Sequence, residues 1–142
     1  MTITPTMRLD IVSAEREIFS EAVEAAIITA DMGELGIYPG HTQLLTTLKP
    51  GNIRALMPDK SEEVFFVNGG MLEVQPFVVT VLSDTVMRAH DIDEQAAMEA
   101  KAQAEKKLLE KKAEIDFAEA ASELAAAIAQ LRAIQQLRKR AK

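Results

Sequence analysis

Glycine and proline divide this chain in two. All six glycines lie before Met71 and the last of the five prolines is Pro76, whereas residues 91–142 hold neither and are rich in Ala, Glu, Lys, Gln and Leu. Glycine and proline interrupt regular structure, and the residues that replace them here are strong helix formers. The first part must therefore be short, often-turned elements, and the second long helix. The joint falls near residues 89–91.

Up to about Met87 the apolar pattern has the period of strands. Met7, Leu9 and Ile11 alternate with Arg8 and Asp10, the mark of a half-buried strand. In a second run Ala25, Ile27 and Thr29 oppose Ala26 and Ile28, as in a strand buried on both sides or lying at an inter-sheet contact. Residues 51–56, 64–67, 71–74 and 77–82 supply further strands, each bounded by Pro, Gly, Asn or Asp. The expected fold is two-domain α+β: an antiparallel β-sandwich or flattened barrel over residues 1–88, then an antiparallel two-helix hairpin over 91–142.

Two helix starts are legible in the second part. Asp91 with Glu94, and Asp116 with Glu119, have the spacing of a capping box. The first helix, to about Ala113, carries a thin stripe of Ala97, Ala100, Ala104 and Leu108. The second places Phe117, Ala121, Leu124, Ile128 and Leu131 on one face. A hairpin breaking near residues 114–116 is expected, although no Gly or Pro enforces the break and one long helix competes. Alanine-rich stripes bury little area, so closure is worth on the order of a few kcal/mol. A hairpin closed so weakly can open for a better partner, or can simply be a hairpin.

Charge and chemistry exclude several functions. Net charge is −6; residues 1–90 carry 12 acidic and 6 basic side chains, and residues 91–142 carry 10 of each. After Leu131 the chain has Arg132, Arg138, Lys139, Arg140 and Lys142 with no acid. Such a run complements a helix dipole. An acidic chain with one tyrosine and no tryptophan is a poor nucleic-acid binder. No cysteine is present, which removes disulfides, thiolate catalysis and thiolate metal sites. His41 and His90 lack ligands at i+3 or i+4, so no metal site is expected. No nucleophile elbow or triad pattern occurs, so no catalytic residue is assigned. The first residues lack a basic and an apolar region, so no signal peptide is expected. No apolar run approaches the roughly 20 residues of a membrane span.

Residues 33–47 concentrate the unusual chemistry: three glycines, the only tyrosine and one histidine. Their spacing is neither a dinucleotide fingerprint nor a P-loop, and the residues alone suggest an exposed turn leading into a strand near Gln43. The run Gly33-Glu34-Leu35-Gly36-Ile37-Tyr38-Pro39-Gly40-His41 resembles the epsilon subunit of the bacterial rotary F-type ATP synthase. So do Leu44-Leu45-Thr46, Lys49-Pro50-Gly51, Gly69-Gly70 and Leu72-Glu73-Val74-Gln75-Pro76. The likeness runs from about Leu9 to Arg140.

The resemblance implies a rotor subunit of the central stalk with no active site of its own. It would couple rotation of the membrane c-ring, through the gamma shaft, to ATP synthesis, and its C-terminal helices would inhibit ATP hydrolysis. It further implies c-ring contacts at Gly33, Glu34, Leu35 and Tyr38, and gamma contacts at Ser13, His41 and Thr46. Extended into the catalytic head of α and β subunits, the second helix would offer Ile128, Leu131, Arg132, Arg138, Lys139 and Arg140. Relatives that bind ATP on this hairpin resemble Ile/Leu-Asp-x-x-Arg-Ala; here Asp93 matches but Ala96 replaces the arginine, so no cofactor is expected. The resemblance places the protein on the cytoplasmic face of the bacterial inner membrane, attached only through the complex. Two other classes fit the composition: an enzyme on a small β-sandwich, which needs a polar concave pocket, and a generic adaptor with a helical arm.

Overall fold

The structure, a computed structural model, describes residues 4–110 and 114–141. Eight strands come first: β1 (Met7–Ser13), β2 (Glu17–Val23), β3 (Ala25–Ala30), β4 (Gly33–Ile37), β5 (Leu44–Leu56), β6 (Glu62–Val74), β7 (Val78–Ser83) and β8 (Val86–Arg88). A 3-10 turn at Ala89–Asp91 leads into α1 (Glu94–Glu110) and α2 (Glu114–Ala141).

Strands pair in the order β2-β1-β7-β6-β5-β3-β4, with β8 beside β6. All these pairings are antiparallel except β1 with β7, which is parallel. The long hairpin of β5 and β6 belongs to both layers. Residues 44–48 and 70–74 continue the sheet of β7, β1 and β2; residues 51–56 and 62–67 continue that of β3, β4 and β8. Between the two halves Gly69 and Gly70 have φ of +82° and +127°, backbone that side chains rarely adopt. A Cβ on Gly70 would sit 2.0 Å from the Leu82 carbonyl oxygen.

Both layers close on one core. Met7, Leu9 and Ile11 of β1, Leu72 and Val74 of β6, and Val79 and Val81 of β7 meet Ala26, Ile28, Ile37, Ile53, Phe65 and Val67. The aromatic contribution is an edge-to-face contact of Phe19 with Phe65, ring centroids 5.2 Å apart. Arg88 lies over Phe65 at 5.2 Å, donates to the Ile18 carbonyl at 3.2 Å and so pins the last strand to the start of β2.

The strand part differs from expectation in several places: one pairing, β1 with β7, is parallel in a sandwich expected to be antiparallel, and the strands expected at 64–67 and 71–74 are one, β6. Residues 33–37, read as turn, form strand β4, whose hairpin turn is Asp31 and Met32, and the next strand opens at Leu44. An outermost strand tolerates Gly33 and Gly36 because its backbone need pair on one side only. Strand β2 was not expected, since Glu17, Ser20 and Glu21 dilute its pattern, yet Phe19 and Val23 are buried.

The helices form the hairpin rather than one rod. Lys107 meets Glu123 at 3.2 Å, and Arg138 meets Glu94 through both guanidinium nitrogens, which fixes antiparallel packing. Helix α1 is capped two residues later than the Asp91 reading: Asp91 closes the 3-10 turn, and Asp93 Oδ1 accepts from the Ala96 N–H at 3.1 Å, as an N-cap does. Asp116 lies within α2 rather than before it. The expected end of the first helix and the break near residue 114 touch residues 111–113, which lie outside the described residues.

Alanines, not the larger residues, define the buried faces. Ala97 and Ala104 are buried in α1, while Ala100 is exposed and Leu108 half-buried. In α2 the buried residues are Ala120, Ala127, Ala129, Ala133 and Ile134; Phe117 is exposed, and Ala121, Leu124, Ile128 and Leu131 are half-buried. Ala129, Ala133 and Ile134 seat α2 on Val64 and Phe66 of β6, with Ala89 and Ile92 of the joint. Small side chains let helix and sheet approach closely, which a stripe drawn through large residues misses.

Candidate functional site

The two outer faces of the sandwich differ. α2 covers the one carrying Val64 and Phe66. On the other, register lines up Thr47, Met71, Leu82 and Val12 across β5, β6, β7 and β1. Met71 and Leu82 are about half exposed, and neighbouring Leu45 is 63% exposed. A shallow cavity of about 250 Å³ opens here, lined in part by Val12, Ser13, Met71 and Leu82. Exposed apolar residues in a contiguous row mark a contact surface. The sequence signal was available: adjacent Leu44 and Leu45 cannot both face the core of a period-2 strand.

Ser13, His41 and Thr46 are spread over this sheet. The Ser13 hydroxyl donates to the Arg16 carbonyl at 3.1 Å and accepts from the Arg16 N–H at 3.3 Å, closing the β1–β2 turn. His41 sits between β4 and β5, where its N–H reaches the Tyr38 carbonyl at 3.2 Å and Nδ1 lies 2.7 Å from the Thr42 carbonyl. The adjacent Gly40 N–H reaches Pro76, at the opposite end of β7 from Ser83, the partner of Ser13. Ser13 and His41 are thus separated by the length of β7, about 20 Å at ~3.3 Å per residue. Thr46 lies between them on the half-buried side of β5.

Gly33, Glu34, Leu35 and Tyr38 do gather. They lie on β4 or at its end, where Glu34 and Tyr38 (61% exposed) face outward and Leu35 packs against the core. Met32 at the turn is 92% exposed. Glu34 is opposite Thr29, and its carboxylate meets Arg54 of β5 at 3.5 Å. Arg54 also meets Glu62 of β6 at 3.7 Å, a charge ladder across strands that only register reveals.

Arg132, Ile128 and Leu131 lie on α2 with Arg138 and Lys139 nearer its end. Ile128 and Leu131 are half-buried, and Arg132, Arg138 and Lys139 are exposed. Arg138 is engaged by Glu94, as above, and the Arg140 side chain lies outside the described residues. Asp93 is committed to the α1 cap, with Ala96 supplying the N–H it accepts from.

Catalytic features do not assemble on the described residues. The buried carboxylate Glu24 is matched by Lys60 Nζ at 2.6 and 3.0 Å. Among the described residues no three His, Cys, Asp or Glu converge as metal ligands, and no helix is long and apolar enough to cross a membrane. Among the described residues the arrangement offers contact surfaces: an uncovered sheet face with an exposed apolar row, a strand edge bearing Glu34 and a lightly seated helix.

Comparison with known proteins agrees with that architecture. Residues 6–89 match the family described as ATP synthase, Delta/Epsilon chain, beta-sandwich domain, and residues 90–135 match its long alpha-helix domain. The ATP synthase epsilon chain of Nitrosococcus oceani is 57% identical over 135 residues, covering 95% of this chain and 96% of that one. That of Legionella pneumophila is 52% identical over 137 residues, covering 96% and 98%. The same fold occurs in a chain of the Euglena gracilis mitochondrial ATP synthase, solved as OSCP/F1/c-ring, with TM-score 0.83, 20% identity and coverage of 94% of this chain and 84% of that one. A chain of the Tetrahymena thermophila mitochondrial ATP synthase central stalk and c-ring aligns with TM-score 0.64 at 12% identity, covering 94% and 99%. With both segments matched and bacterial epsilon chains more than half identical along nearly the whole length, this chain belongs to the ATP synthase delta/epsilon family.

Proposed function

We propose that this chain is a non-catalytic rotor subunit of a proton-translocating F-type ATP synthase, coupling c-ring rotation through gamma to ATP synthesis. The observation that carries the reading is the unequal dressing of the sandwich: one outer face that no described helix covers, with exposed Leu45, Met71 and Leu82 among polar neighbours such as Glu73 and Asp10, the other covered by a helix seated largely on alanines. The row of Met71, Leu82 and Val12, flanked by Ser13 and, farther off, His41, suits an extended contact with gamma; Thr46, on the opposite and half-buried side of β5, would meet it only at the sheet's margin. Gly33, Glu34, Leu35 and Tyr38 suit the c-ring, a mixed apolar and polar edge of the kind found at interfaces. The spread of Ser13 and His41 favours a long contact over a point contact, as a clamp that resists torque requires.

In this reading the hairpin is a brake. Released from the sandwich, α2 enters the head of α and β subunits and presents Ile128, Leu131, Arg132, Arg138, Lys139 and Arg140 to an acidic segment, blocking wasteful hydrolysis. Single exposed ion pairs contribute only about 0–1 kcal/mol, so several act together. The protein sits peripherally on the cytoplasmic face of the bacterial inner membrane, held there by the complex. No nucleotide is required, because Ala96 removes the arginine of the ATP motif and Asp93 caps α1.

The test is ATP hydrolysis with proton pumping by the holoenzyme, comparing the full chain with one ending at Arg88. Truncation is expected to raise hydrolysis several-fold while pumping stays coupled. Unchanged hydrolysis refutes the brake; lost coupling refutes assignment of the coupling role to the sandwich alone.

A further inference from the structure

A cavity of about 530 Å³ lies beneath α2, and both proposed working surfaces reach it. One wall is the sandwich, with Thr29, Glu34, Asn52 and Arg54; the other is α2, with Ile128 and Arg132. The apolar seat of Ala129, Ala133 and Ile134 touches one side of this space but leaves it unfilled. The Asn52 side-chain oxygen is buried there without a protein partner, so the lining is polar and suited to water.

Charge decides what this space does. Arg54 is divided between Glu34 at 3.5 Å and Glu62 at 3.7 Å, both longer than the roughly 2.7–2.9 Å of a strong charge-assisted hydrogen bond. Glu34 is thus held loosely from its own sheet. The opposite wall supplies a second guanidinium, Arg132, for which no ion pair within 4.0 Å occurs among the described residues. We propose that Glu34 and Arg132 attract each other across this cavity, so that engagement of Glu34 by a cationic or hydrogen-bond-donating partner and closure of the hairpin compete for one carboxylate.

The inference rests on the rotor reading for the identity of that partner, the c-ring, but the linkage belongs to the chain itself. A partner that draws off the Glu34 charge leaves Arg132 facing Arg54, cation to cation, and closure weakens. By reciprocity, a closed hairpin lowers the affinity of the Glu34 edge for its partner by the same factor. Arg54 is a positioning residue in this scheme, and Glu34 is the shared one.

The chain has no cysteine, so Asp59→Cys and Glu119→Cys, both exposed, carry a dye pair that reports the closed-to-open ratio in the full chain by energy transfer. Glu34→Gln and Arg132→Gln are each expected to lower that ratio about two- to five-fold, the range for solvated charge pairs. The double variant should fall no further than the lower single one, and Glu34→Asp should retain the ratio. Additive effects, or none, overturn the proposal; thermal melts of each variant exclude a folding defect.

A second arm compares the holoenzyme with F1 lacking the c-ring. The ring is expected to lower the ratio for the native chain and not for Glu34→Gln, and an equal drop in both overturns the competition. Failure of the rotor reading registers separately, as absence of the chain from purified ring-containing complexes, while the double-variant result in the free chain still stands or falls on its own.

Discussion

Replacing Gly70 with alanine tests the closest approach in the sandwich. Two costs arise at this residue. The first is conformational: φ of +127° is foreign to a residue with a Cβ, and left-handed backbone costs such residues about 1–2 kcal/mol. The second is steric. The new Cβ would lie 2.0 Å from the Leu82 carbonyl oxygen, where ordinary contact begins at 3.4 Å, so β7 must retreat by more than an ångström. That retreat strains the ladder joining Met71 to Leu82 and Leu72 to Val81, and one or two bonds weakened there cost about 1 kcal/mol each. Together the loss is roughly 2–4 kcal/mol, a large share of the ~5–15 kcal/mol that holds a domain. Gly33 provides the control, because its φ is +119° and no atom lies within 4 Å of a Cβ built there. Gly33→Ala should therefore cost only the conformational share of about 1–2 kcal/mol. Urea unfolding followed by circular dichroism reads the difference as a midpoint about 1 M lower for Gly70→Ala than for Gly33→Ala, given slopes of ~1–3 kcal/mol per M. Equal midpoints would show that β7 yields freely and would refute the steric argument.

Other outcomes follow from the helix seat, a surface turn and the broken nucleotide motif. Ala133 is fully buried against the sandwich, so Ala133→Leu should overpack the seat by about 1–3 kcal/mol and open the hairpin, seen as faster proteolysis within residues 91–142 while the strand part stays resistant. The Ser61 hydroxyl and N–H hydrogen-bond to Asp59 and hold its carboxyl below the usual carboxylate value. A depressed folded pKa stabilises above the unfolded value and loses that benefit as pH falls through the folded one, so this turn should loosen only at strongly acid pH. Ser61→Ala should move the Asp59 titration, followed by NMR, back up toward the ordinary value; no movement would refute the assignment. Millimolar ATP should leave the melting temperature of the native chain unchanged, whereas Ala96→Arg should raise ATP affinity about 10- to 150-fold, the equivalent of one charged hydrogen bond. Calorimetric titration checks both.

The division of the chain was legible because it rests on local chemistry. Glycine and proline act where they stand, so a stretch of about fifty residues without either, rich in Ala, Glu, Lys, Gln and Leu from residue 91 onward, predicts helix without knowledge of packing. The strand of Met7, Leu9 and Ile11 was equally plain, since its alternation is uninterrupted. Legibility failed where a neighbour decided the outcome. Gly33 and Gly36 read as turn because nothing local says that β3 lies alongside to pair with them. The faces of α2 were misplaced because burial there follows closeness of approach, which favours Ala129 and Ala133 over Phe117. The ladder of Glu34, Arg54 and Glu62 spans 28 residues of sequence and exists only through strand register. The resemblance marked Glu34, but no pattern marked the arginine that holds it.

The β5–β6 hairpin, bent at Gly69 and Gly70, has a mechanical meaning. In most sandwiches two layers adhere through interdigitated side chains, and shear is resisted only by friction between them. Here two adjacent strands of 13 residues each, about 40 Å long if straight at ~3.3 Å per residue, run through both layers as one hydrogen-bonded beam. A force on the face bearing Met71 and Leu82 reaches the Glu34 edge along covalent backbone and ladder bonds. Sliding one layer over the other would require that beam to stretch or break, so stiffness is set by the main chain and survives changes in core side chains.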